Sequence, residues 1–265
     1  MTVSNPIAEA VLRRDRMVVS LGLAAIILVA VYITVDMARY HNSIVTTVLD
    51  HHHGTQMAVE TDGFWHLFVM WTVMQIAMMS PTAVPMILMH TKVQRTRITE
   101  TSPLLHTFVF FLGYIVVWTV FSAVFAAIQV WMQSMSLLTP AMASASPWLA
   151  GGILIAAGAF QFSKLKEVCL NGCRAPVQYF MTEWREGYGG ALMMGLKHGV
   201  HCVGCCWVLM ALLFVAGVMN LLWMAVITTF VLAEKVLPKG DVFGRIGGVS
   251  MIVWGLGIIS MVLLA

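Results

Sequence analysis

The sequence predicts an all-α, polytopic transmembrane helix bundle of about seven helices, and three observations carry that expectation. Sixty per cent of the 265 residues are hydrophobic and only 10% are charged, against about 25% charged in a typical soluble domain. The apolar residues gather into segments close to the roughly 20 residues that a helix needs to cross a hydrocarbon core. The basic residues are also sorted between alternate connections, as the positive-inside rule requires of a membrane protein. A formal net charge of +3 is too small to argue for nucleic acid. The expected partners are a metal ion and a protein in the membrane or beside it.

The first apolar segment, 17–35, follows Arg13, Arg14 and Arg16. It is longer than the h-region of a signal peptide and lacks a small-x-small cleavage site, so it reads as an anchor. The second covers 64–89 and contains Pro81 and Pro85, each of which removes a backbone donor that neighbouring protein must compensate in lipid. The third runs over 103–131, the fourth over 148–162, the fifth over 190–217, the sixth over 219–236 and the seventh over 247–264. The fourth is short, the fifth is polar for its class, and the turn between the fifth and sixth is tight. With the N-terminus in the cytoplasm and the C-terminus outside, fourteen of the fifteen lysines and arginines fall on the inner side and only Arg39 falls outside. Gly195 with Gly199, and Gly244 with Gly248, have the small-xxx-small spacing that brings helices close together.

The chemistry concentrates in the fifth segment. His198, His201, Cys202, Cys205 and Cys206 lie within nine positions. At about 100° per helical residue, with His198 as zero, the other four fall near 300°, 40°, 340° and 80°, so all five share a face. Residues at i, i+3 and i+4 can converge thiolate sulfur and imidazole nitrogen on a metal. Buried cysteines also serve as small hydrophobes, but desolvating so many polar groups in lipid calls for a compensating partner. Cys169 and Cys173 stand four apart and would join the same site if 164–173 is helical; Arg174 and Pro176 equally suit a surface turn. All five cysteines fall toward the inner side, where thiols stay reduced and structural disulfides are not expected.

Methionine is the second anomaly, at 21 residues. Met70, Met74 and Met78 repeat every four residues, and Met78, Met79, Met86 and Met89 flank the proline pair. Thioether sulfur is a soft donor suited to Cu(I), although methionine stripes also serve as adaptable packing. On the outer side, His41, His51, His52, His53 and Met57, with four acids, form a candidate metal-collecting loop. His90 and His106 flank the second inner connection. The chain contains no HExxH, P-loop, GxSxG or GxGxxG motif. No carboxylate lies mid-membrane; the nearest is Glu234, beside Lys235. No catalytic residue is assigned, and the reading leans away from an enzyme.

Several stretches together resemble a family of predicted metal-binding integral membrane proteins of uncharacterised activity, sometimes described as copper-related. They are Met-Trp-Thr-Val-Met with Ala-Met-Met-Ser-Pro over 70–81, Pro85-Met86, Cys-Leu-x-x-Cys-Arg-x-Pro within 166–176, and His-Gly-x-x-Cys-x-Gly-Cys-Cys-Trp ending at Trp207. Gly-Val-Met-Asn-Leu-x-Trp-Met over 217–224 and Glu-Lys-x-x-Pro-x-Gly over 234–240 complete the pattern. The whole chain, 1–265, then reads as one integral membrane domain, with 1–63 as first helix plus His-rich loop and 64–265 as the family core. The resemblance implies a metal-handling protein, by analogy in a bacterial inner membrane.

The residues favour copper as Cu(I) on Cys202, Cys205, Cys206 and His201, with His198, Cys169, Cys173, Met78 and Met79 as further candidates, for delivery, sequestration or transfer. Zinc suits the same ligands. A membrane redox enzyme subunit using a dithiol or haem, and a scaffold without chemistry, are the alternatives.

Overall fold

The computed structural model describes residues 6–50, 63–97 and 103–264, and the described residues fold into ten helices. The candidate histidine run 51–53 lies outside them. The helices are α1 (Pro6–Asp50), α2 (Phe64–Arg97), α3 (Pro103–Ser134), α4 (Pro147–Phe160), α5 (Lys164–Arg174), α6 (Pro176–Thr182), α7 (Gly187–Ala211), α8 (Leu213–Ala216), α9 (Leu221–Val236) and α10 (Gly240–Leu264).

Local chemistry marks several of the boundaries. Proline opens α4 and α6 from a position where no helical donor is lost. Pro176 also forces Ala175 out of the helical region, to φ −114° and ψ 69°, which ends α5. Ser163 caps α5 by accepting from Lys166 N at 3.2 Å, and Asn220 caps α9 by accepting from Trp223 N. The expected tight turn before α9 carries Gly217 at φ +96°, a conformation that suits glycine. Pro81 and Pro85 do not divide α2, which continues through both.

Among the described residues, five helices are long and apolar enough to cross a membrane: α1, α2, α3, α7 extended by α8, and α10. The count reaches six if α4 and α5, bent by 63° at their junction, form one broken span. The remaining expected crossing, α9, is a 16-residue helix.

The principal pairings are α1 with α2, α2 with α3, α3 with α7, α5 with α7, and α4 with α10. Burial ranks the helices clearly. In their most apolar windows, 61% of α2 and 56% of α7 are buried, against 17% of α1 and 11% of α10. The outer helices therefore present apolar side chains such as Leu21, Leu28, Val253 and Leu263 outward, a surface suited to lipid and unsuited to water. Inside, Trp71, Phe110, Tyr114, Trp118 and Phe180 are fully buried, and Trp71 Nε1 donates to Gln129 Oε1 at 2.7 Å. The α3–α7 contact is a backbone contact. A Cβ at Gly195 would collide with the carbonyl of Phe110, and one at Gly113 would lie 2.5 Å from Leu192 O.

Candidate metal centre

The site is built where α5 crosses α7. On α7, His198, Cys202, Cys205 and Cys206 belong to one buried face, as the helical spacing requires. On α5, Lys166, Leu170 and Cys173 form the buried face at intervals of four and three. The two helices approach through paired small residues. A Cβ at Gly204 would come 2.6 Å from Cys169 Sγ, and one at Gly172 would come 2.6 Å from His201 Cδ2.

This crossing brings four thiols together. Cys173 interacts with Cys202 and Cys205, and Cys206 interacts with the same two. All four side chains are buried, and all five cysteines are free thiols. Cys169 is only half-buried, at the edge of the cluster. Cys205 Sγ and Cys206 Sγ also donate to the carbonyl of Cys202, at 3.1 and 2.9 Å. Directed in this way, the side chains do not enclose a cation: among the described residues, no three of His, Cys, Asp and Glu stand as a ready-made metal cage.

Cys202 is the hub. Lys235 Nζ, from α9, donates to its sulfur at 3.0 Å and to Thr82 Oγ1 of α2 at 3.0 Å. Tyr114 Oη, from α3, lies 3.2 Å from the same sulfur and donates to the carbonyl of Met79 at 3.0 Å. Side chains from α3 and α9 thus reach the thiol carried on α7, and α2 holds both of them through the Met79 carbonyl and Thr82. Lys235, Tyr114 and Thr82 were not among the residues singled out from sequence. Tyr114 and Thr82 sit inside apolar spans without any local motif, whereas Lys235 stood in the Glu-Lys-x-x-Pro-x-Gly stretch and was read only as an inner-side charge.

The two histidines of α7 differ. His198 is 1% exposed and neither ring nitrogen has a partner. Its ring stacks on Tyr114 at 5.5 Å and on Phe110 at 6.1 Å, and Tyr179 meets it edge-on. His201 is partly buried, with Nδ1 2.8 Å from the carbonyl of Lys197. A carbonyl only accepts, so that nitrogen carries the proton and Nε2 keeps a free lone pair. Met78 and Met79 are buried in α2, and Met79 enters the site through its carbonyl.

A second polar cluster lies at the N-terminal end of α5, on the same face as Cys173 and two turns from it. Lys166 Nζ donates to Glu234 Oε1 and Oε2 at 2.6 and 2.8 Å and to Gln161 Oε1, all three residues being buried. They border a cavity of about 280 Å³ that Asn171, Arg174 and Asp241 also line.

A soft thiol cluster with an unpartnered imidazole beside it fits a soft transition metal better than a hard cation. The PpoB2 family model, described as a copper chaperone, matches residues 68–258. No curated protein and no solved structure matches the chain. A match over most of the chain shows the family, and the chain belongs to it.

Proposed function

We propose that this chain, as a member of the copper chaperone family, is an integral membrane protein that receives Cu(I), holds it on a cysteine cluster and passes it to a protein partner. The observation that carries the reading is the buried convergence of Cys173, Cys202, Cys205 and Cys206 beside His198, whose ring nitrogens lack partners. Copper here is cargo, and the assignment of ligands is ours.

Cu(I) prefers thiolate and imidazole donors, and thiols release protons when they ligate. Ligation would redirect the Cys205 and Cys206 sulfurs from the Cys202 carbonyl to the ion; Cys205 already interacts with Cys173, and Cys206 with Cys202. Without an ion, Lys235 is the cation that faces Cys202. An approach along α2 is supported by the buried residues Met70, Met74, Met78 and Met86, which alternate with Thr82 at intervals of one helical turn. The apolar outward faces of α1 and α10 support a membrane location.

The test is elemental analysis of detergent-purified protein under reducing conditions, wild type beside a Cys202→Ser, Cys205→Ser, Cys206→Ser triple variant. The expected result is cysteine-bound copper, close to one ion per chain, that the variant lacks. Copper held equally by both proteins would overturn the ligand assignment. Zinc lost in the same manner would replace the cargo reading with a structural site.

A further inference from the structure

The strongest unassigned feature is a histidine that the cysteine site does not use. His90, on α2, is 0% exposed. Its Nδ1 lies 3.2 Å from Thr107 Oγ1, and the Thr107 hydroxyl donates to the carbonyl of Pro103 at 2.8 Å. A threonine hydroxyl has one proton. With that proton on Pro103, Thr107 is the acceptor and His90 Nδ1 is the donor. The imidazole is thereby held with its Nε2 lone pair unprotonated, and Nε2 has no partner in the protein. A histidine oriented through one nitrogen, with the other free, is the arrangement that metal-ligating histidines adopt.

The surroundings fit a soft or borderline ion. Met86 and Gln94 stand one turn before and one turn after His90 on α2, both buried, and Gln94 Nε2 is also without a partner. No carboxylate appears among these neighbours, which disfavours calcium or magnesium.

The position relative to the cysteines completes the case. Phe110 stacks on His90 at 4.8 Å and on His198 at 6.1 Å, so one phenyl ring contacts both imidazoles. His198 in turn stacks on Tyr114, whose hydroxyl touches Cys202. Three buried ring nitrogens without partners therefore belong to the two imidazoles that stack on Phe110.

We propose that His90 is a second copper-binding station in the same bundle, and that displacement of Phe110 lets Cu(I) pass between it and the His198–Cys202 site; the inference rests on the copper-handling reading. The transfer is a ligand exchange without change of oxidation state. A copper–nitrogen bond to His90 breaks as one to His198 forms. A copper–sulfur bond to Cys202 then replaces it, and the thiol proton passes to the vacated imidazole nitrogen.

The experiment titrates Cu(I) against a colorimetric chelator, anaerobically and in detergent, for wild type, His90→Phe, Thr107→Val and the triple serine variant with and without His90→Phe. Phenylalanine keeps the stacking on Phe110, and Thr107→Val leaves the imidazole in place without its orienting partner. Wild type is expected to bind in two classes. His90→Phe should lose the weaker class, keep the cysteine-bound ion and load it at least about tenfold more slowly. Thr107→Val should weaken the second class by about 10- to 100-fold. Copper bound by the triple serine variant and lost on adding His90→Phe would support the station even if the cysteines prove to hold no copper. Identical stoichiometry and loading in wild type and His90→Phe would overturn it, as would His90-independent binding in every background.

Discussion

Lys166, on α5, and Lys235, on α9, are both buried, yet their partners differ in kind. Lys166 meets both oxygens of Glu234 and the amide oxygen of Gln161. Its charge is matched by a carboxylate, and the pair closes on itself. Lys235, the next residue after Glu234, meets a cysteine sulfur and a threonine hydroxyl. One residue step along α9 thus separates a finished ion pair from a cation set against a soft ligand. Burial of charge is tolerated when a partner and hydrogen bonds accompany it. The first neighbourhood ties α5 to α9 and to Gln161 at the end of α4, and the second sets a cation against the Cys202 sulfur.

The comparison can be broken from either side. Cys202→Ser removes the hub of the second neighbourhood and should lower Cu(I) affinity by on the order of 100-fold or more, measured by chelator competition. An unchanged affinity would move the site elsewhere. Lys166→Met leaves Glu234 buried and unpaired, and should cost about 3–5 kcal/mol of stability, measured by thermal unfolding in detergent. Adding Glu234→Leu should recover most of that loss, because the penalty lies in the orphaned carboxylate.

Lys235→Met strands no carboxylate. Its expected cost is smaller, about 1.5–3 kcal/mol for hydrogen bonds from a charged donor, and copper stoichiometry should stay at the wild-type value. Equal losses for the two lysines would erase the distinction. The smallest effect belongs to an exposed reference pair, Glu183 with Lys197. The hydrogen bond from Lys197 holds the Glu183 carboxyl below its usual range. Its stabilisation is therefore present above the unfolded carboxylate value, near 4.3, and is lost as pH falls through the lower folded value. Solvent screening limits it to about 0.5 kcal/mol or less, so a pH series on Glu183→Gln should nearly superimpose on wild type.

Much of the helical scaffold was legible because length and apolar content decide it directly, as in α2, α3 and α10. The shared face of His198, Cys202, Cys205 and Cys206 was equally legible, since it follows from helical spacing alone. Cys173 joined the site once α5 proved helical, a choice the sequence left open between helix and turn. His201 stood in the first ligand set, but its Nδ1 is engaged with the Lys197 carbonyl and its ring packs at Gly172, at the margin of the thiols. Tyr114 and Lys235 were not legible as neighbours of Cys202, because they lie 88 and 33 residues from it in sequence. Long-range convergence has no periodicity to betray it. The same holds for Lys166 and Glu234, which local reading assigns separately to inner helix ends.

The glycine contact between α3 and α7 also sets the spacing of the site. With backbone resting on backbone at Gly195 and Gly113, any larger residue at either position would push α7 away from α3. The thiols of Cys202, Cys205 and Cys206 are mounted on this jaw. The opposite jaw is α5, an 11-residue helix hung between a 63° bend and a proline. That short helix is tied at both ends, through Lys166 to Glu234 and through Arg174 to the carbonyls of Leu237 and Pro238. The four buried sulfurs are therefore split three to one between a helix seated on α3 and a helix fastened to α9 and its following turn.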